Sequence, residues 1–227
     1  MFYYNDPTFF LLIPAFLLAL YAQFKVQSTF TKYSRVNSHC GLPGARVGRE
    51  LLDSAGLKSV PVEQVKGNLT DHYDPRDKTL HLSSAVYGSP SVAALGVVAH
   101  EVGHALQDNQ AYAPLAFRNN LVPVANLGSQ LAIPLFFFGL LASFPLLMDL
   151  GIIAFSLAVA FQVITLPVEF NASSRAIKIL SAGKYLTAEE VPLARAVLNA
   201  AALTYVAATA MAVLNLIRLL ALRGRRD

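Results

Sequence analysis

His100-Glu101-Val102-Gly103-His104 holds residue types that do metal chemistry, at a spacing that a helix makes useful. On a helix, positions i and i+4 share one face about 6 Å apart along the axis, so the two imidazoles can bind one ion. Glu101 stands one residue further round, where it reaches a water beside the ion rather than the ion itself. Zinc held by two histidines and one carboxylate keeps a fourth position for water and lowers that water's pKa towards roughly 7. The HExxH pattern therefore implies a zinc-activated water that attacks a carbonyl, with Glu101 as the base that takes its proton. The competing reading, a core helix with two satisfied histidines, is a less specific account of this pattern.

The motif needs a helix, and a helix start stands ahead of it. Ser89 can cap an N-terminus, Pro90 fits the first turn, and no further proline follows until Pro114. The surroundings are apolar from residue 92 to 99, within a chain of 227 residues that is 55% hydrophobic and 14% charged. Soluble domains carry about 25% charged residues, so this is a membrane-protein balance. The net charge of +4 is modest, and no nucleic-acid partner is expected. A single cysteine, Cys40, rules out an intrachain disulfide and suits a reducing compartment.

Residues 7–24 are almost wholly apolar and read as a retained first transmembrane helix, bent at Pro14. Asn5 and Asp6 precede it where a signal peptide would be basic. Lys25, Lys32, Arg35, Arg46 and Arg49 follow, which places that side in the cytoplasm. Residues 43–55 read as an amphipathic helix ending at Gly56, with Arg46, Arg49 and Glu50 on a solvated face. Residues 60–65 read as a strand. Residues 71–73 and 78–82 flank Asp74-Pro75-Arg76-Asp77 as a hairpin, completing a small antiparallel sheet. An extended substrate is expected to pair with its edge near residues 79–83. His72 and His81 are possible ligands or oxyanion donors, though most strand histidines are neither.

Beyond the motif, a helix starting near Pro114 merges into apolar runs at residues 131–148 and 150–168, read as a transmembrane hairpin turning at Asp149. The hairpin returns to the motif's side at Glu169, which makes that carboxylate the natural third ligand. Glu189 and Glu190 sit in a capping box with Thr187, Glu50 and Glu63 precede the sheet, and Asp149 is about 27 Å away along the helix. Residues 170–199 read as a polar helical segment broken at Gly183, and residues 200–222 as a last span rich in small residues. Of 18 basic residues, Arg218 and the tail arginines Arg223, Arg225 and Arg226 fall at the end, against the positive-inside rule.

Gln107 and Gln110 stand where a metzincin extension needs Gly and His, and Asp149-Leu150-Gly151 reverses the order of a site-2-type motif. The stretches AHEVGHALQ at 99–107, LVPVAN at 121–126, TLPVEFNAS at 165–173 and VLNAAALTYVAA at 197–208 resemble the YugP-like family of bacterial membrane zinc metallopeptidases over nearly the whole chain. There is a more distant likeness to HtpX and the CAAX-prenyl proteases, where an E-x-x-A-D motif supplies the ligand Glu and an Asp that orients the first histidine. Here Glu169 and Ala172 match and Ser173 replaces the Asp, so Ser173 or Asn171 would take that hydrogen bond.

The reading is a mainly α membrane protein with about four transmembrane helices, plus a small zincin-like α+β catalytic part with a short antiparallel sheet. Its segments are a membrane helix (1–24), the catalytic region (25–128), the hairpin (129–168), a helical segment with the third ligand (169–200) and a last span with a basic tail (201–227). The expected function is a gluzincin-type endopeptidase of the bacterial inner membrane, its catalytic face cytoplasmic and its cofactor Zn2+. His100, His104 and Glu169 would bind the metal, and Glu101 would catalyse. The oxyanion candidates are His72, Tyr73, Arg175 and Tyr205. Its partners would be a peptide or protein substrate, the lipid bilayer and a membrane-protein complex. The alternative is a non-catalytic zinc-binding scaffold or adaptor, disfavoured because a structural zinc takes four protein ligands and needs no base.

Overall fold

The computed structural model describes residues 7–224. Asn5 and Asp6, and Arg225 and Arg226 of the basic tail, lie outside them. The chain divides into two units: residues up to 23, 113–167 and from 203 onward, and residues 24–112 with 168–202. Among the described residues, four helical stretches are long and apolar enough to cross a membrane: Thr8–Tyr33, Ala113–Leu141, Pro145–Ala182 and Val191–Gly224.

In the first unit, a 3-10 turn at Pro7–Leu12 leads into α1 (Ile13–Tyr33). Pro14 falls in the first turn of α1, where a missing N–H costs nothing. α5 (Ala113–Leu141) and α6 (Pro145–Ala182) form the expected hairpin, but the turn lies at Ala142–Phe144 and not at Asp149. Ser143 takes a left-handed φ of 53°, and Phe144 N–H closes on Gly139 O at 2.8 Å, the bond that ends a helix when the residue before it turns left-handed. Pro145 then starts the next helix. Asp149 instead sits early in α6 and accepts from Arg223 Nε at 2.8 Å near the end of α7 (Val191–Gly224). The two hairpin arms lie close: a Cβ on Gly151 would come within 2.8 Å of Ala132 O. Phe136, Met148 and Leu219 form a buried cluster in this unit.

The second unit is built round α4 (Val92–Asn109), whose first turns are buried on every side. Its cap is Ser91, two residues later than expected, and Ser91 Oγ accepts from Ala94 N at 3.2 Å. Ser89 instead donates its hydroxyl to Ser91 at 2.9 Å. α2 (Gly44–Ser54) buries Val47, Leu51 and Leu52 and ends as the sequence reads: Gly56 has a φ of 78°, and Leu57 N–H reaches Leu52 O at 2.8 Å. Arg49 is not merely solvated, since its guanidinium donates to Leu57 O and Val60 O and pins the following loop.

The sheet comprises β1 (Val62–Val65), β2 (His72–Asp74) and β3 (Thr79–Ser83) in the order β1-β3-β2. β2 and β3 pair antiparallel as a hairpin, but β1 joins β3 in parallel, so the sheet is mixed and not antiparallel throughout. β3 is the middle strand and has no free edge. An extended chain has no place at residues 79–83; the edges are β1 and β2. Leu80 and Leu82 of β3 enter the core with Val98 and Val102 of α4. A four-residue helix, α3 (Ser84–Tyr87), links the sheet to α4.

The later part of α6 and the start of α7 complete this core through Ala176, Leu180, Ala194 and Leu198. α6 runs unbroken past Glu169 to Ala182, ending at the predicted Gly183 break. Between α6 and α7, Thr187 and Glu190 exchange the two hydrogen bonds of a capping box, at 2.9 and 3.3 Å.

Candidate metal centre

α4 presents His100 and His104 on one face, with ring centroids 4.8 Å apart and planes at 86°. α6 brings Glu169 against them because Gly103 lets the two backbones approach. A Cβ at Gly103 would stand 2.8 Å from Ala172 O, inside any allowed contact. Glu169 Oε2 then lies 3.2 Å from His100 Nε2 and 3.7 Å from His104 Nε2. The glutamate side chain is 3% exposed and the two histidines 14% and 12%. These are the one group of three or more potential ligand side chains, among the described residues, whose ligand atoms all lie within 4.8 Å of each other. Two imidazole nitrogens and one carboxylate oxygen suit zinc, and three protein ligands leave a position for water. The residues present fit the metal.

Glu101 is buried beside them, and its Oε2 accepts the main-chain N–H of Tyr73 at 3.1 Å. Burial pushes its carboxyl above the ordinary glutamate range, although the neighbouring histidines pull the other way. For His104, burial disfavours the charged ring, but the hydrogen bond to Glu169 and the charge of Glu101 outweigh it and raise its pKa.

The other expected residues divide. Ser173 Oγ lies 3.1 Å from His100 Nδ1. Asn171 does not meet His100; its Oδ1 accepts from Gln107 Nε2 at 3.0 Å and from Arg175 Nε at 2.7 Å. Arg175 also donates to Gln110 Oε1 at 2.6 Å and lies over the Tyr112 ring. His72 is outside the ligand group: it is exposed, stacks on His81 at 4.7 Å and hydrogen-bonds Thr70 O. Its neighbour Tyr73 meets Glu101 instead and donates its hydroxyl to Asp108 at 3.0 Å. Tyr205 belongs to the first unit, where its carbonyl accepts from Thr209 Oγ1 at 2.9 Å. Sequence reasoning missed Gln107, whose Oε1 lies 3.0 Å from His104 Nδ1. Its position three residues after His104, one turn along the same face, was the available signal.

A buried His-His-Glu cluster, a glutamate beside it on the HExxH helix and four membrane-length apolar helices define a membrane zinc metallopeptidase. The profile of the family described as "Putative neutral zinc metallopeptidase" matches residues 8–224, and the chain belongs to that family. It is 49% identical over 220 residues to a Bacillus subtilis (strain 168) protein named "Putative membrane protease YugP", covering 96% of this chain and 98% of that one. No solved structure matches the chain.

Proposed function

We propose that this protein is a gluzincin-type endopeptidase of the bacterial inner membrane that hydrolyses peptide bonds of membrane-associated or misfolded proteins, with its catalytic face in the cytoplasm. The observation that carries the reading is the convergence of Glu169 on His100 and His104 with Glu101 buried alongside. His100, His104 and Glu169 would hold the ion. Bound zinc supplies Lewis acidity towards water and the scissile carbonyl.

The chain's own residues do the rest. Glu101 takes the proton of the attacking water, whose oxygen bonds to the carbonyl carbon. As the C–N bond breaks, the same carboxyl gives that proton to the leaving amine. Glu101 is buried beside the ligand atoms, where one carboxyl can both accept the proton of the water and return it to the amine. Ser173 and Gln107 hold the outer nitrogens of the two histidines. Extended substrate would add to the free side of β2, where the Tyr73 N–H points at the base.

Elemental analysis of wild type and Glu169→Ala tests the ligand set: about one zinc per chain, largely lost in the variant, is expected. Equal zinc in both would place the third ligand elsewhere. Zinc bound without chelator-sensitive cleavage of any denatured or membrane substrate would favour the scaffold reading.

A further inference from the structure

We infer that Gln107 is a positioning residue that fixes the tautomer and aim of His104 and ties it to the turn of α6 that carries Glu169. The inference rests on the reading of His100, His104 and Glu169 as zinc ligands.

Gln107 is fully buried, so both ends of its amide need partners. Chemistry alone decides which end faces which way. One amide atom lies 2.9 Å from the main-chain oxygen of Val168. A carbonyl oxygen only accepts, so that atom is the nitrogen. The same nitrogen lies 3.0 Å from Asn171, whose facing atom also lies 2.7 Å from the Arg175 guanidinium. A guanidinium only donates, so the Asn171 atom is its oxygen, and it accepts from both. Gln110 holds the far side of Arg175. Every member of the chain from Arg175 to Gln107 is therefore oriented without choice.

The oxygen of Gln107 is left for His104 Nδ1 at 3.0 Å. That oxygen only accepts, so Nδ1 carries the hydrogen. In the neutral ring the lone pair is then on Nε2, the nitrogen nearest Glu169. His100 has no such lock, because the Ser173 hydroxyl facing its Nδ1 donates or accepts equally well. Val168 and Asn171 flank Glu169 in sequence, so one side chain on α4 orients a histidine and grips the backbone beside the carboxylate. Both histidines are backed by neutral groups, Ser173 and Gln107.

The test uses the full chain in detergent, with Zn2+ affinity read by chelator competition, the Co2+ absorption spectrum as a report of ligand geometry, and thermal melting of the metal-free protein as a folding control. Gln107→Leu removes the acceptor at similar volume, and Gln107→Asn keeps an amide too short to reach. Each should weaken zinc about 10- to 100-fold and alter the Co2+ bands. Gln107→Glu keeps an acceptor at the right reach and should bind zinc close to wild type. A merely structural role predicts the opposite order, since a buried carboxylate facing Val168 O fits worst. Wild-type affinity and spectrum in Gln107→Leu or Gln107→Asn would overturn the inference, as would equal losses in Gln107→Glu and Gln107→Leu. Wild type that binds no zinc would remove the ligand set, and the inference with it.

Discussion

Glu101 is 8% exposed and accepts a hydrogen bond from a main-chain N–H, so a glutamine can replace it without leaving that donor unpaired. Glu101→Gln is expected to keep wild-type zinc content and to lose cleavage by at least about 10²–10⁴-fold, read by metal analysis beside a peptide assay. Ser173→Ala removes the partner of His100 Nδ1 and should weaken zinc by about 10-fold, read by chelator competition. At this scale the HExxH triplet is legible because its geometry is local: five residues of helix set it. Glu169 follows from the order of apolar runs and from the resemblance. Gln107 is not legible as a partner, because two of its three hydrogen bonds cross to residues 61 and 64 positions away. Periodicity carries no information about such contacts.

α4 and α6 meet at Gly103, and that meeting is a narrow tolerance. Gly103→Ala gains helix propensity yet must push Ala172 O aside, so a net loss of about 1–3 kcal/mol is expected, with zinc released as α6 retreats. Thermal melting with and without zinc measures both. The β2–β3 turn makes a separate prediction. Arg76 side-chain and main-chain N–H groups hold the Asp74 carboxyl down to about 2 from an ordinary 3.8. A depressed carboxylate contributes stability above its unfolded pKa and loses it as pH falls towards the folded value. Asp74→Asn should therefore loosen the turn at pH 5, and the difference from wild type should fade as pH falls through about 2, followed by amide exchange of residues 76–79. Arg76 is largely exposed, so solvent screens the pair and the effect is small. Helix and strand positions are largely legible because amphipathic period, Gly56 and the capping box are written locally. The parallel partner of β3 and the left-handed turn at Ser143 are not. The first is a non-local pairing, and the second is a polar residue that hydropathy places inside an apolar run.

At the scale of the whole chain, the four apolar helices are legible from composition, since runs this apolar have no soluble use. Which side the basic segments face is a proposal with its own test. Cys40 is the chain's single cysteine, partly exposed and preceded by the first basic run. A membrane-impermeant maleimide should label it in inside-out vesicles and not in intact cells; the reverse pattern would turn the catalytic face outward.

The short free edge of β2 has a bearing on life in a crowded bilayer. Any exposed strand invites a neighbouring copy to zip onto it. This one runs for three residues, its Tyr73 N–H is already taken by Glu101, and the Asp74–Arg76 pair marks its end. A sister molecule drifting past finds almost nothing to grip. A chain that docks there would have to compete with the Glu101 carboxylate for that hydrogen bond.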